Sequence, residues 1–179
     1  AGVRNNSISG NCYGQHWKEH MENEHTYAIH AKRAGYTTAY TGKYLNEYGF
    51  NHSVNIPKGW DHWLGLIGNS HYYNCSLIEG GIGKPTKVVT YGDVYPDDYL
   101  PNIMHHQVLE WFSTLSEPWL IVMAWPTPHG PFTPAPWAAG TMSDYHPPIT
   151  ENYNASSLYM QQKHWLLRQL LPLTEDTAD

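Results

Sequence analysis

Two side chains in this sequence occur where they could bind an anion or exchange a proton with one. Lys43 follows Gly42 at the end of a β-prone segment, and a glycine there lets backbone and ammonium group approach a negative ligand together. His129 lies in the proline-rich segment 126–131, and prolines fix φ so that the turn is stiff and its imidazole positioned. The alternatives are an exposed lysine and a purely structural histidine.

A second basic group lies near the end of the chain. Lys163, His164 and Arg168 fall within one apparent helical segment, where Lys163 or His164 would share a face with Arg168. Such a face is either a substrate-binding surface for an anion or a solvated side of the helix, and the local sequence leaves both open.

Metal and nucleophile motifs have less support. His16 and His20 are spaced as zinc ligands on one helix, but the Glu that directly follows the first His in zinc hydrolases is absent. Asp97 and Asp98 precede a strong helical pattern, which predicts that they cap that helix rather than hold a metal. The chain has neither a Gly-x-Ser-x-Gly motif nor a Walker-type loop. We therefore predict no metal ligand within this chain.

Lys43 and His129 each follow a helix and then a strand. A helix is predicted over 24–33, Gly35 ends it, and the β-prone segment 36–41 comes next. Open α/β sheets collect their ligands at the carboxyl ends of the strands. A second helix followed by a strand precedes His129. The two helix–strand units together predict an α/β fold in which Lys43 and His129 lie at one edge of a sheet.

The second unit has the clearer pattern. The run 119–125 is continuously apolar, as expected of a strand covered on both faces. Residues 51–95 read as a long excursion with a hairpin near 79–83, and 156–171 as a last helix. The helix that precedes the predicted strand 119–125 carries an apolar stripe of Leu100, Met104, Val108 and Trp111, beside Ile103 and Phe112.

Composition narrows the possible partners. Sixteen acidic and ten basic residues give a formal net charge of −6, which disfavours nucleic acid. Protonation of all twelve histidines would reverse the sign of this charge, which suits work on a polyanion in an acidic compartment.

The longest apolar run, 119–125, is far shorter than the roughly 20 residues of a spanning helix, so no membrane span is expected. Eight Trp and fourteen Tyr suit sugar ligands or simply fill a core.

The chain carries signals of the secretory route. Four Asn-x-Ser sequons predict N-glycosylation, at Asn5, Asn51, Asn74 and Asn154. The sequence begins without Met or a signal peptide, and we expect that processing or truncation removed an upstream part. Whether Cys12 and Cys75 pair with each other, with other segments or with nothing is left open.

Five blocks, in order along nearly the whole chain, resemble the N-acetylglucosamine-6-sulfatase branch of the sulfatase family. They are TGKYLNEYG at 41–49, PKGW at 57–60, NSHYYN at 69–74, PTPHGP at 126–131 and KHWLLRQ at 163–169. The extracellular heparan-sulfate endosulfatases are the next most similar branch. The ordered set makes the match far more specific than any single block.

The resemblance implies a partial alkaline-phosphatase-like α/β fold, a mixed or parallel sheet flanked by helices, with residues 1–179 as one partial catalytic domain. It implies hydrolysis of the 6-O-sulfate of N-acetylglucosamine in a sulfated glycosaminoglycan, heparan or keratan sulfate, in the lysosome or outside the cell. Lys43 would contact the sulfate, and His129 would hydrogen-bond it or serve the leaving oxygen.

The resemblance also implies cofactors that this chain does not hold by itself. Sulfatases use calcium and a formylglycine made from the Cys of a Cys-x-Pro-x-Arg motif, and neither Cys12 nor Cys75 begins that motif. The nucleophile and the calcium ligands are therefore expected in flanking parts of a full-length parent. An isolated chain of residues 1–179 is expected to have no turnover.

Two other functions remain open. In the first, the parent is an endosulfatase acting on internal residues, which GLIGNS at 65–70 favours, whereas GKYL at 42–45 favours the exosulfatase. In the second, the chain is a non-catalytic glycan-binding module that uses Tyr and Trp surfaces with Lys163, His164 and Arg168.

Overall fold

The computed structural model describes residues 24–50, 54–146, 148, 153–154 and 157–171. The chain divides into two compact units, with the boundary between Trp137 and Ala138. Among the described residues, no helix is both long and apolar enough to cross a bilayer. The sequence-based proposals for His16 and His20 lie outside the described residues.

In the described part of the first unit, five strands form one mixed sheet. The strands are β1 (Thr37–Lys43), β2 (His62–Leu66), β3 (Ser76–Gly81), β4 (Lys84–Thr90) and β5 (Trp119–Ala124), in the order β4-β3-β2-β1-β5. β1 runs parallel to both β2 and β5, whereas β3 is antiparallel to β2 and β4. The α/β class with a mixed sheet flanked by helices is thus confirmed.

Two helices cover this sheet, α1 (Tyr27–Arg33) and α2 (Leu100–Thr114). The predicted stripe of α2 is confirmed, since its buried residues are Leu100, Met104, Val108 and Trp111. These side chains pack against alternate strand residues on one face, Ala39, Leu64, Leu66 and Leu77. Burial of a large apolar side chain stabilises a fold by about 1.5–3 kcal/mol, so this stripe holds α2 firmly in place.

The opposite face carries an aromatic cluster, which we define as Tyr40, Tyr44, Tyr48, Trp60 and Trp63. Tyr40 and Trp63 stack with their ring centroids 4.6 Å apart, and α1 contributes Ala28 to the same face. α1 is capped by Thr26, whose hydroxyl accepts from the Ile29 N–H. α1 starts at Tyr27, three residues later than predicted, because the Thr26 cap directly precedes that residue.

The segment 51–95 is more than the predicted excursion. Its hairpin exists as β3 and β4, turning at residues 82–83, but the segment also supplies β2, an inner strand of the sheet. β1 in turn extends two residues beyond the predicted 36–41, so that Lys43 is its last residue. Pairing with strands on both sides maintains the extended conformation that local propensity did not indicate.

The predicted capping of α2 by Asp97 or Asp98 is wrong. The N-cap is Tyr99, whose side chain makes no capping hydrogen bond, and the Leu100 N–H donates to the Tyr72 carbonyl at 2.8 Å. Asp98 accepts instead from the Val94 N–H at 3.0 Å, which closes the turn before the helix. A backbone carbonyl from another loop thus replaces the side-chain cap.

Two further predictions need correction. β5 is less buried than a strand covered on both faces, and Trp119 is 38% exposed, because β5 lies at the edge of the described strand order. The single helix over 156–171 is instead two short helices, α3 (Ser157–Met160) and α4 (Trp165–Arg168). His164 caps α4, because its Nδ1 accepts from the Leu166 N–H at 3.4 Å.

Candidate anion-binding site

The end of β1 requires a glycine. Gly42 has φ +104°, and a Cβ atom there would lie 2.2 Å from the Ala124 carbonyl oxygen and 2.6 Å from Met104 Cε. Both distances are impossible for a real methyl group, and L-residues rarely adopt this φ. Gly42 therefore allows β1, β5 and α2 to approach closely just before Lys43.

Lys43 is anchored at both its backbone and its side chain. Its Nζ donates to the Gly68 carbonyl at 2.8 Å, and Gly68 follows the end of β2. Its own carbonyl accepts a short hydrogen bond from the Tyr40 hydroxyl. Burial, with a smaller effect from Tyr27, raises the pKa of Tyr40, so that hydroxyl stays protonated and remains a donor. The half-buried ammonium group is thus held at the carboxyl ends of two parallel strands.

His129 lies in an exposed turn that begins two residues after β5 ends. Its N–H donates to the Pro126 carbonyl at 2.8 Å. Its Nδ1 lies 2.8 Å from the Gly130 carbonyl oxygen, and since a carbonyl only accepts, the hydrogen of this contact must be on Nδ1. In the neutral ring, Nε2 then carries the lone pair and is the nitrogen that can meet a ligand.

The strands that lead to Lys43 and His129, β1 and β5, end at the same edge of the sheet. These strands are adjacent and parallel, with Gly42 opposite Ala124 in the register, so both chains leave the sheet in the same direction. A lysine ammonium can bind a tetrahedral oxyanion, and an imidazolium that donates from Nε2 can bind it or protonate its leaving oxygen. The fold therefore provides the strand arrangement that the sequence predicted for these two residues.

Sequence reasoning missed two tyrosine hydroxyls that bind the chain after β5, one at His129 and the other at Thr133. The Tyr72 hydroxyl donates to the His129 carbonyl at 2.7 Å, and the Tyr99 hydroxyl donates to the Thr133 carbonyl at 3.0 Å. Both belong to a tyrosine cluster, which we define as Tyr72, Tyr73, Tyr95 and Tyr99. The only signal in the sequence was the block at 69–74, which carries the resemblance without indicating a role.

The second basic group is arranged differently from the prediction. Lys163 lies in the turn before α4, His164 is the N-cap, and only Arg168 is within the helix. The three residues therefore do not share the face of one helix. They belong to the second unit, where His164 and Arg168 are exposed and Lys163 is half-buried.

Two of the four sequons can be located. Asn74 and Asn154 are both exposed, which N-glycosylation requires, and both adopt positive φ angles of 49° and 45°. Asn5 and Asn51 lie outside the described residues.

The described residues do not fit the implied cofactors. They contain no group of three or more His, Cys, Asp or Glu side chains that could hold a metal ion, so they offer no ligand set for calcium. Cys75 is a free thiol, 2% exposed in the core beneath α2, and burial raises its pKa to about 11. Such a thiol is inert and does not suit a nucleophile precursor. Cys12 lies outside the described residues.

The chain is similar to known proteins over nearly its whole length. The family model for sulfatases matches residues 4–171. The chain is 34% identical to the N-acetylglucosamine-6-sulfatases of goat and human, over 98% of its own length. It is 30% identical to a putative extracellular sulfatase Sulf-1 homologue of Caenorhabditis elegans, over 89% of its length. The partial alkaline-phosphatase-like α/β fold implied by the resemblance is consistent with the mixed sheet and its helices.

The matches cover only part of each relative. The chain spans 31% of the length of the N-acetylglucosamine-6-sulfatases and 22% of the nematode protein. These relatives thus contain long segments with no counterpart here.

Proposed function

This chain belongs to the sulfatase family, and on that premise we propose that the complete protein containing it hydrolyses the 6-O-sulfate of N-acetylglucosamine in a sulfated glycosaminoglycan, heparan or keratan sulfate. The observation that carries the proposal is the position of Lys43 at the end of β1 and of His129 after the adjacent, parallel β5, within a chain that matches sulfatases nearly end to end. Residues 1–179 would form one partial catalytic domain of that protein.

Lys43 is proposed to bind the sulfate. A sulfate ester carries one negative charge, which spreads onto the leaving oxygen as the ester bond breaks. The Lys43 ammonium donates to the Gly68 carbonyl at 2.8 Å, and its positive charge at the end of β1 would stabilise the negative sulfate oxygens. The hydrogen bond to Gly68 fixes its position before the substrate arrives.

His129 is proposed to act through Nε2. With the Nδ1 hydrogen directed at the Gly130 carbonyl, Nε2 is the ring nitrogen that faces the ligand, and in the protonated imidazolium form it would donate to a sulfate oxygen or deliver its proton to the departing sugar oxygen. The products are then a free 6-hydroxyl on the sugar and inorganic sulfate. The nucleophile and the calcium site are proposed to lie in segments outside residues 1–179, and an isolated chain is proposed to lack turnover.

The other sequence-based assignments are proposals of the same kind. Lys163, His164 and Arg168 would bind anionic groups of the glycan, now as separate contacts rather than as one helix face. Glycosylation at the exposed Asn74 and Asn154, and at Asn5 and Asn51, would accompany a lysosomal or secreted location.

A second candidate function has its own support. The matches to extracellular sulfatase Sulf-1 homologues, 32% identical in Drosophila melanogaster over 91% of the chain, favour an enzyme that acts on internal residues of the polymer. The block at 65–70 points the same way. The two candidates differ only in where along the glycan the sulfate is removed.

The test measures inorganic sulfate released by the complete protein from defined oligosaccharides. One substrate carries a single 6-O-sulfate on the non-reducing terminal N-acetylglucosamine, the second carries it internally, and the third carries only a 2-O-sulfate on uronic acid. Release from the first alone supports the exosulfatase, and release from the second selects the endosulfatase.

Negative outcomes of this experiment are equally specific. Release from the 2-O-sulfated control at the same rate would contradict the 6-O assignment. Binding of the 6-O-sulfated oligosaccharides without any release would identify a glycan-binding module instead of an enzyme.

A further inference from the structure

We propose that Tyr72 is a positioning residue for His129, holding the turn so that the imidazole keeps the orientation that catalysis needs. This inference rests on the proposed function, in which His129 Nε2 meets the sulfate. The link is direct, since the Tyr72 hydroxyl donates to the His129 main-chain carbonyl at 2.7 Å across 57 residues of sequence.

The hydrogen bonds of His129 to the Pro126 and Gly130 carbonyls are local to the turn. Beyond Ala124 the chain leaves the sheet, and the ladder of β5 no longer fixes it. The second hydrogen bond to the His129 carbonyl comes from the Phe132 N–H at a longer 3.3 Å. Of these two hydrogen bonds to the His129 carbonyl oxygen, the one from the Tyr72 hydroxyl is shorter. It is also the one that joins the turn to a distant part of the chain.

Tyr72 is itself rigidly placed. Its side chain is 3% exposed and lies nearly parallel to the Tyr99 ring, 20° between planes and 6.3 Å between centroids. Its carbonyl accepts the Leu100 N–H at 2.8 Å, so its backbone is tied to the first turn of α2. Since α2 packs on the sheet through its buried stripe, the hydroxyl of Tyr72 has a fixed position relative to the strand ends.

The contact reaches the imidazole through one peptide unit. The His129 carbonyl belongs to the peptide that joins His129 to Gly130, and the Gly130 carbonyl is the acceptor of Nδ1. If this peptide rotates, the acceptor moves, and both the tautomer and the direction of Nε2 are no longer fixed. A small misplacement of a reacting group costs turnover more than it costs binding.

The experiment is a double-mutant cycle in the complete protein, with the variants Tyr72→Phe, His129→Ala and the double mutant. Tyr72→Phe removes only the hydroxyl, and kcat is expected to fall about tenfold while KM changes by less than about twofold. In the His129→Ala background, Tyr72→Phe is expected to lower kcat no further, because no imidazole remains to be oriented.

Tyr99→Phe is the matched control. It removes an equally placed hydroxyl from the same cluster, but that hydroxyl reaches Thr133, four residues beyond His129. Tyr99→Phe should lower Tm about as much as Tyr72→Phe while keeping kcat within about twofold of wild type. An equal loss of kcat in both variants would reveal a general packing effect and overturn the proposal.

The outcomes separate this inference from the proposed function. If His129→Ala leaves kcat unchanged, the proposed role of His129 fails first. If His129→Ala lowers kcat but Tyr72→Phe does not, or if the Tyr72→Phe loss persists in the double mutant, only the positioning role is rejected.

Discussion

Gly42 and Ala124 lie opposite each other on β1 and β5 with no room for a side chain between them. A Cβ atom at Gly42 would fall 2.2 Å from the Ala124 carbonyl oxygen. The contact is one residue before Lys43 and five residues before His129, so it sets how closely the two segments leave the sheet. This backbone contact thus fixes the spacing of the two strands just before the chain reaches Lys43 and His129.

Gly42→Ala is expected to destabilise the protein much more than Gly35→Ala. Both glycines have positive φ, +104° and +88°, so both alanines carry backbone strain of about 1–3 kcal/mol. Only Gly42 adds a clash with backbone, because a Cβ at Gly35 has no atom within 4 Å. Thermal unfolding should give a clearly lower Tm for Gly42→Ala. Equal shifts in the two variants would mean that β1 and β5 are not in this close contact.

Lys43→Ala should lower kcat/KM by about 10²-fold or more, because the charge that neutralises the sulfate oxygens is lost. The control is Lys87→Ala, since Lys87 is an exposed strand lysine whose ammonium pairs with Glu79 at 3.1 Å, on β4 at the opposite end of the sheet. Initial rates of sulfate release provide the measurement. Activity of Lys43→Ala within about twofold of wild type would remove Lys43 from the site.

The sequence predicted those parts of the fold that a local pattern encodes. The stripe of α2 was identified because helical periodicity reflects burial directly, and β5 was located by its continuous apolar run, although that run overstated its burial. β2 was missed, because His62–Leu66 is short and contains Gly65, and only its pairing with β1 and β3 keeps it extended. The break between α3 and α4 was missed because the His164 cap interrupts a pattern that otherwise looks continuous.

The candidate site divides in the same way. The strand-end positions of Lys43 and His129 followed from the order of helix, strand and loop, which is a local pattern. The hydrogen-bond partners of Lys43 and His129 could not be predicted in this way, because Gly68 and Tyr72 lie 25 and 57 residues away from them in the sequence. Contacts of this kind are set by the tertiary fold and leave no spacing in the sequence to detect.

Three substitutions at His129 can distinguish its two proposed roles. His129→Gln keeps an amide donor near the place of Nε2, whereas His129→Asn keeps one near Nδ1, which meets the Gly130 carbonyl. If Nε2 only binds the sulfate, His129→Gln should retain more kcat/KM than His129→Asn and His129→Ala, which fall by about 10²-fold. If Nε2 transfers a proton, all three should fall alike, because an amide cannot do so.

His105→Ala is the control for these variants, since His105 is exposed on α2. It should behave as wild type in the same sulfate-release assay. Wild-type rates in His129→Ala as well would show that neither role belongs to His129.

Asp61 joins α1 to β1, and its replacement by Asn should destabilise the protein at neutral pH. Its carboxylate accepts from the Thr38 N–H at 2.9 Å and from Lys32 Nζ at 2.7 Å. Partial burial opposes ionisation and is the largest single influence, but the contacts to Lys32 and Thr38 outweigh it and lower the pKa of Asp61. Hydrogen bonds to charged groups contribute about 1.5–3 kcal/mol. Solvent screens Lys32, which is 40% exposed, so we expect about 1–2 kcal/mol for Asp61→Asn.

The pH dependence follows from the lowered pKa. Stability from the ionised carboxylate is fully present above the unfolded pKa of about 3.9 and is lost as pH falls through the lower folded pKa. The Tm difference between wild type and Asp61→Asn should therefore stay constant from pH 7 to about pH 5 and shrink below about pH 4. Asp93→Asn, at an exposed carboxylate, should leave Tm unchanged throughout. A difference for Asp61→Asn that persists undiminished in acid would show that the interaction does not depend on the charge of Asp61.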